Sequence, residues 1–563
     1  MRKALIKLFC LFIALVISRN TFAQTIVGSR HDLSVTGSSS IKATTQTEVC
    51  KFCHTPHNAS VRTPLWNRTV NTGAYTLYNS TTLNAFATLG QPDGASILCL
   101  SCHDGTIALG TVIRGPGAIT MSGGTVIPAG KKRLGTDLRD DHPISFTYSA
   151  ALVTADGQLL APNAITAPVK LTSAKVQCTS CHDPHKNITG GSNFLVKTSL
   201  TSQLCISCHN RTNWATSSHS TSTKTWNGTL PNPWPSTTYT TVADNACENC
   251  HNPHNAGGVR LLKYAAEENN CLDCHNGSVS TKNIQLQFGK ANKHNVAGYA
   301  AIHQPNEAVR VIANRHVECV DCHNPHASNG TTATVPSGVK GNQRGVSGIN
   351  QAGVAVVNAT FAYEVCYKCH SGNTGSPASV FPRQFPQNNV LTEFATTNTS
   401  FHPVVGANPV TLFAANLING NTTNTVLYCT SCHASDGVGA PAGPHGSSFP
   451  FILKSQFNTV SYVDGRTAVP ESLITYALCY SCHNRTTIVG GTNGFSKHPK
   501  HTQKVSCNVC HDPHGSTKTN LINFRTDIIL PARSGRLEYN DLGTRTGECY
   551  LTCHGSNHDP KNY

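Results

Sequence analysis

Cysteine and histidine carry most of the chemistry this chain can do. Eleven times a Cys-x-x-Cys pair runs directly into histidine: Cys50 and Cys53 with His54, Cys99 and Cys102 with His103, Cys178 and Cys181 with His182, Cys205 and Cys208 with His209, Cys247 and Cys250 with His251, Cys271 and Cys274 with His275, Cys319 and Cys322 with His323, Cys366 and Cys369 with His370, Cys429 and Cys432 with His433, Cys479 and Cys482 with His483, and Cys507 and Cys510 with His511. A twelfth copy is stretched by one residue and comprises Cys549, Cys553 and His554. Two thiols at the regular spacing can add across two vinyl groups on one edge of a porphyrin. The next residue then reaches an iron at the ring centre, which is the pattern of covalent haem c attachment. Zinc sites and thioredoxin-like pairs also use Cys-x-x-Cys, but neither requires the following histidine. Histidine is only 28 of 563 residues, so eleven successes in eleven pairs are not coincidence.

The twelve sites consume 24 of the 25 cysteines and leave none for a disulfide. The remaining one, Cys10, lies in a leader with basic Arg2, Lys3 and Lys7, an apolar run from Leu8 to Ile17, and Thr21-Phe22-Ala23 at its end. This reads as a cleaved secretory signal over residues 1–23, with the mature chain beginning near Gln24. Phe9 stands where a lipoprotein would have a small residue before the cysteine, so Cys10 is not expected to be lipidated. No later stretch reaches 18 uninterrupted apolar residues, so no further membrane helix is expected.

The sites fall into six pairs, beginning at Cys50 and Cys99, Cys178 and Cys205, Cys247 and Cys271, Cys319 and Cys366, Cys429 and Cys479, and Cys507 and Cys549. The expected modules are 24–135, 136–215, 216–285, 286–375, 376–490 and 491–563. In five of them the first site continues as His-x-Pro-His, ending at His57, His185, His254, His326 and His514. Two ligands of one iron approach from opposite faces of a wide flat ring, and three residues cannot wrap its edge. The second histidine should therefore serve a neighbouring haem, with the intervening proline turning it away. A second class precedes each pair: His31, His142, His219, His294, His402 and His498. The fifth pair departs from the pattern, because Ala434 to Pro444 separate His433 from His445, and His445 is assigned there by default. Twelve distal candidates thus face twelve proximal histidines. His303, His316, His501 and His558 are spare, although His316 and His501 are alternatives to His294 and His498.

The doubled Cys-x-x-Cys-His pattern with His-Asp/Asn-Pro-His resembles the multihaem c-type cytochromes of respiratory and metal-reducing bacteria, over essentially the whole mature chain. The resemblance implies bis-histidine iron, little regular secondary structure, closely stacked haem pairs and electron transfer along the array. The expected fold is accordingly mostly irregular coil with short helices and few strands, organised around twelve covalent haems without a conventional hydrophobic core. Apolar patches after several first sites, such as Phe194-Leu195, Leu261-Leu262, Phe451-Ile452-Leu453 and Leu521-Ile522, are expected to pack on porphyrin faces with no chemistry of their own. Trp214, Trp226 and Trp234 in the linker Asn213 to Asn245 are expected to stack on haem rather than form a binding surface.

Charged residues are 13%, about half the usual share, and the formal charge is +15. Twenty-four propionates would absorb that excess, and no basic run with interleaved aromatics points to nucleic acid. The expected function is electron conduction across or outside the cell envelope towards extracellular acceptors, by a secreted protein at the outer surface, with the periplasm as the alternative location. Its expected partners are other redox proteins of the envelope, with self-assembly into a filament or membership of an outer-membrane conduit as alternatives. A multihaem reductase of a nitrogen or sulfur oxyanion would instead need an open iron, and this chain supplies more histidines than twelve closed irons require.

Overall fold

The computed structural model describes residues 26–60, 63, 65–115, 117–186, 193–297, 317–372, 380–407, 416–461, 469–492, 495–543 and 546–563. The leader with Cys10, and also His303 and His316, lie outside them. The fold is mostly coil with short helices and few strands. Among the described residues the longest helices are Gly94–His103, Glu267–His275 and Ala362–His370, and each ends on the histidine of a second site. Most of the other sites form a single α- or 3-10 turn, as at Cys178–Cys181, Cys319–Cys322, Cys429–Ser431 and Cys507–Val509. One turn is what two cysteines three residues apart need in order to face the same way. Gly, Pro, Asn and Ser between the sites stop these turns from growing.

Strands are as short. Lys42–Ala43 pairs with Met121–Ser122, Asn292–Lys293 with Gly446–Ser447, Gly348–Ile349 with Ala355–Val356, and Ser400–Phe401 with Gly515–Ser516, all antiparallel. At the C-terminus three antiparallel strands lie in the order Ser556–Asn562, Gly547–Cys553, Glu538–Asp541. Gly446 and Gly515 permit backbone contact that no other residue would allow, since a Cβ there would come within 2.0 Å of the Gln287 and Glu393 carbonyl oxygens respectively.

The chain divides into two compact units. One gathers Met1–Trp214 with Trp234–Ala265, and the other Ala215–Pro233 with Ala266–Tyr563. Apolar burial in each is broken into small clusters. The first unit has one around Phe146, Tyr148 and Leu152, one around Tyr75, Ile97 and Leu100, and one around Ala43, Phe52 and Ile119. The second has clusters around Tyr363, Tyr367 and Phe401, and around Val509, Phe524 and Leu551. Cys53, Cys208, Cys429 and Cys510 sit at the edges of these clusters, so the attachment edges of these four sites adjoin apolar packing. Buried arginines tie loops together. The Arg68 guanidinium donates to the carbonyls of Ser101, Ala108, Leu109 and Thr111, and Arg383 donates to those of Asn508 and Asn523. Among the described residues no helix is long and apolar enough to cross a membrane.

Candidate haem sites

Each regular site is built the same way. The histidine N–H closes the turn onto the carbonyl of the first cysteine, at 2.8 Å from His54 to Cys50, 2.9 Å from His182 to Cys178 and from His433 to Cys429, and 3.0 Å from His511 to Cys507. Both thiols thereby share one side of a turn and the imidazole projects beyond them. After a first site the chain loops out and returns antiparallel, with Val196, Lys263, Lys454 and Asn523 donating to the carbonyls of Cys181, Cys250, Cys432 and Cys510.

The apolar patches lie on this return and have chemistry that the sequence reading missed. Phe194, Arg260, Leu261, Phe451, Ile452, Asn520 and Leu521 all have left-handed φ values, at 55°, 58°, 58°, 61°, 55°, 56° and 59°. That bend aims a carbonyl at the proximal ring. His182 Nδ1–H donates to Asn193 at 2.7 Å, His251 to Arg260 at 3.1 Å, His433 to Phe451 at 2.8 Å and His511 to Asn520 at 2.8 Å. Donation from Nδ1 fixes the tautomer and leaves the Nε2 lone pair free for a metal. The detectable signal was periodic: in each case the accepting residue stands nine to eighteen positions after its histidine, at the start of the patch or just before it.

The proximal rings face other rings across nearly constant gaps. In the first unit His54 lies 6.1 Å from His185, His103 6.2 Å from His31, His182 6.2 Å from His254, and His209 6.3 Å from His142, centroid to centroid. In the second, His275 lies 6.3 Å from His219, His323 6.1 Å from His445, His370 6.4 Å from His294, His433 6.1 Å from His514, His483 6.2 Å from His402, and His511 6.2 Å from His498. An imidazole centre sits about 1.1 Å from its nitrogens, so such gaps leave roughly 2 Å for each metal–nitrogen bond, the ordinary length. The donor sets therefore fit haem iron held from both faces. Burial helps: it holds His31, His209, His275, His370, His433, His445, His483 and His498 down at about 4, in the neutral form that ligates metal.

These pairings follow an offset register. A second site faces the upstream histidine of its own pair, as in His103 with His31 and His483 with His402, whereas a first site faces the Pro-His histidine of the next pair, as in His54 with His185 and His433 with His514; the last pair departs from this, since its first-site His511 faces its own upstream His498. The two classes of facing histidine are themselves joined. His31 hydrogen-bonds the Pro184 carbonyl, and the Nδ1–H groups of His219, His294 and His402 donate to those of Pro325, Pro444 and Pro513. His142 makes the same connection through its backbone N–H to Pro253 at 2.9 Å. The proline before His445 is thus the signal that ranks it with His185, His254, His326 and His514, although ten residues separate it from His433-Ala434. His57 is exposed and stands beside no proximal ring among the described residues. His501 donates its Nδ1–H to Lys497, and His558 lies in the last strand.

Successive sites adjoin in chain order. In the first unit Cys53 is within electrostatic reach of Cys102, the Cys99 thiol hydrogen-bonds Cys178, Cys181 reaches Cys208, and Cys205 hydrogen-bonds Cys247. In the second Cys322 reaches Cys366, Cys366 hydrogen-bonds Cys429, Cys432 reaches Cys482, Cys479 reaches Cys507, and Cys510 reaches Cys549 and Cys553. The attachment segments of successive sites therefore neighbour one another within each unit.

The stretched site is different. Cys549 and Cys553 lie in the strand Gly547–Cys553, with an irregularity in its pairing between Cys549 and Leu551. Four residues of strand span roughly 13 Å at ~3.3 Å each, less what the bulge takes up, whereas the regular turn advances only ~4.5 Å. Both thiols face the cluster around Val509 and Leu551, but the strand holds them too far apart to grip one porphyrin edge. In this conformation the segment does not fit haem attachment, because an extra residue that lets a turn become extended also removes the reason for the turn.

Two family models match parts of the chain. One, the doubled CXXCH motif, matches residues 172–213 and 240–283, and the other, cytochrome c554 and c-prime, matches residues 428–512. A search of curated proteins found no match. The doubled-motif matches cover the second and third pairs, the cytochrome c554 match covers three more sites, and the same spacing continues on either side of both. Over these segments the chain is similar to doubled-CXXCH multihaem c-type cytochromes, a likeness consistent with an electron carrier.

Proposed function

We propose that this is a dodecahaem cytochrome that conducts electrons across or outside the cell envelope towards extracellular acceptors, as a conduit or filament subunit. Haem c, when bound, supplies a reversible one-electron change between ferric and ferrous iron. The protein supplies spacing, axial ligands and shielding. The proximal ligands are His54, His103, His182, His209, His251, His275, His323, His370, His433, His483 and His511, with His554 the twelfth once the strand Gly547–Cys553 gives way to a turn, and the distal ligands come from the upstream and Pro-His classes. One observation carries the reading: the attachment edges of successive sites meet in sequence order, from Cys53 to Cys247 in one unit and from Cys322 to Cys553 in the other. An enzyme needs one reactive iron, while a conductor needs this succession. The ten two-sided histidine pairs also argue against a reductase, since they leave no coordination position open at those sites.

The leader supports export of the chain, and other redox proteins of the envelope are the fitting partners. In the offset register the other Pro-His histidines serve another pair, whereas His57 faces no proximal ring among the described residues. Its exposed imidazole suits docking of a further redox protein or copy there. The test is rapid-mixing reduction of the holoprotein combined with a redox titration. All haems should equilibrate through one entry point faster than the mixing partner exchanges. Two haem populations that share electrons only slowly would overturn the conduit reading and leave separate redox modules.

A further inference from the structure

Most histidines of the array give their outer N–H to a backbone carbonyl: His103 to Lys132, His142 to Pro143, His182 to Asn193, His294 to Pro444, His323 to Asn342, His402 to Pro513 and His498 to Ile488. Two do not. His254 Nδ1–H donates to the Asp141 carboxylate at 3.0 Å, and His514 Nδ1–H donates to Glu393 at 2.5 Å. Both carboxylates are buried, with side chains 5% and 12% exposed. We propose that Asp141 and Glu393 are positioning residues that make the iron between His182 and His254 and the iron between His433 and His514 the last points of the array to be reduced, one in each compact unit. This rests on the axial-ligand reading of those histidines.

The carboxylates are held by their surroundings. Asp141 Oδ1 also accepts the Asn255 backbone N–H at 3.3 Å, so one oxygen gathers both groups of the His254-Asn255 turn. Asp141 is next to His142, whose N–H bonds the Pro253 carbonyl, and this fixes its segment against that turn. Glu393 closes the helical turn Val390–Glu393, its carbonyl takes the Asn398 amide at 2.7 Å, and the backbone of Gly515 packs against it. The other charges near His514 are Asp512 and Arg383, which lie 3.7 Å from each other and partly cancel. His185 provides an internal contrast: its nearest carboxylate, Asp183, is 3.7 Å from Nδ1, beyond hydrogen-bond length, and the His185 side chain is 59% exposed.

A carbonyl only orients a ligating imidazole. A buried carboxylate also draws the Nδ1 proton towards itself, so the ring becomes a stronger electron donor to the metal at Nε2. A ferric bis-histidine centre carries one more positive charge than a ferrous one, and a fixed negative charge beyond the ligand favours the ferric state, more so where water is excluded. One electron from a reductant such as dithionite converts Fe(III) to Fe(II) with no bond made or broken. The carboxylate shifts only the equilibrium. An electron moving along the array then passes these two points without resting on them, and residence falls on the sites between.

The test uses the holoprotein with Asp141→Asn and Glu393→Gln, which keep an oxygen acceptor and remove the charge. Each variant should move one haem's share of the reductive titration upward from its low end by about tenfold or more in the equilibrium constant, about 59 mV for one electron. The double variant should move two. Low-spin spectra and haem content should stay as in the wild type, while the low-spin g-values of one haem per substitution change. Asp141→Glu should restore the low-end component. Asp140→Asn removes a neighbouring charge that takes no part in the His254 hydrogen bonding, and it should leave the titration in place. Curves for Asp141→Asn and Glu393→Gln that superimpose on Asp140→Asn, with low-spin spectra retained, would overturn the proposal. If His254→Ala and His514→Ala open no iron, the axial-ligand reading falls and takes the proposal with it.

Discussion

Replacing His185 by Ala tests whether one pair of sites completes the irons of another. His185 belongs to the second pair by sequence, yet its ring lies 6.1 Å from His54 of the first pair. After subtracting about 1.1 Å per ring, the gap leaves roughly 2 Å for each metal–nitrogen bond, so the alanine variant leaves a vacancy about 4 Å deep that no backbone shift of ordinary size can close. The expected result is one five-coordinate, high-spin ferric haem per chain, binding one equivalent of cyanide or added imidazole, with the covalent haem count unchanged because Cys50 and Cys53 are untouched. His57→Ala should give none, although His57 is the closer residue in sequence and belongs to the same motif as His54. Electron paramagnetic resonance at low temperature counts the high-spin centre, and imidazole titration measures the stoichiometry. A vacancy in His57→Ala and none in His185→Ala would refute the offset register. Loss of low-spin signal spread over many haems would show that His185 acts through folding and not as one iron's ligand.

Two further outcomes test the site inventory and the scaffold. Intact mass should resolve whether the stretched site carries haem: twelve haems require the strand Gly547–Cys553 to give way to a turn on attachment, and a mass of eleven with Cys549 and Cys553 unmodified would show that the strand persists. Arg68→Ala removes a buried guanidinium from four loop carbonyls around the second site, and should cost about 3–5 kcal/mol in chemical denaturation while leaving the midpoint potentials of the second-unit haems in place.

The repeat of chemistry was legible because it depends on spacing alone. A turn that brings two thiols together and releases a histidine is local, so eleven sites could be read without knowing any long-range contact. Absence of long elements was legible for the same reason, since Gly, Pro and Asn interrupt every interval. That the second histidine of His-x-Pro-His turns away from its own iron also followed from the breadth of a porphyrin. The destination of each such histidine did not. His54 and His185 are more than a hundred residues apart, and nothing in either segment encodes the other. The assignment of His445 was made by default, whereas the structure shows a positive cue, the Pro444 carbonyl bonded to His294. Apolar patches looked like packing only, because a left-handed bend at Phe451 or Asn520 cannot be inferred from residues that disfavour it. The stretched site counted as a twelfth copy on its residues alone. Strand pairing with Glu538–Asp541 and Ser556–Asn562 supplied a competing structure that spacing arguments do not weigh.

The offset register also explains why this chain has neither one core nor six independent domains. Were each pair of sites to complete its own irons, every pair would be a closed unit, free to drift on the Gly- and Thr-rich linkers between them, and electron transfer across the linkers would fail whenever they moved. In the proposed ligation the iron of a first site, the last pair excepted, is completed by a ring from the following pair, and that ring's proline carbonyl is held by the upstream histidine serving the second site of the same pair as that iron. His402 shows this compactly: its ring faces His483, its Nδ1–H holds Pro513, and the histidine after that proline faces His433. Both irons of a pair therefore depend on one contact between Pro-His and an upstream histidine, so the connection that fixes the distance between neighbouring haems is the same one that ligates them. A small apolar cluster at each attachment edge is then sufficient, since metal–nitrogen bonds and thioethers supply the long-range order that a continuous core supplies elsewhere.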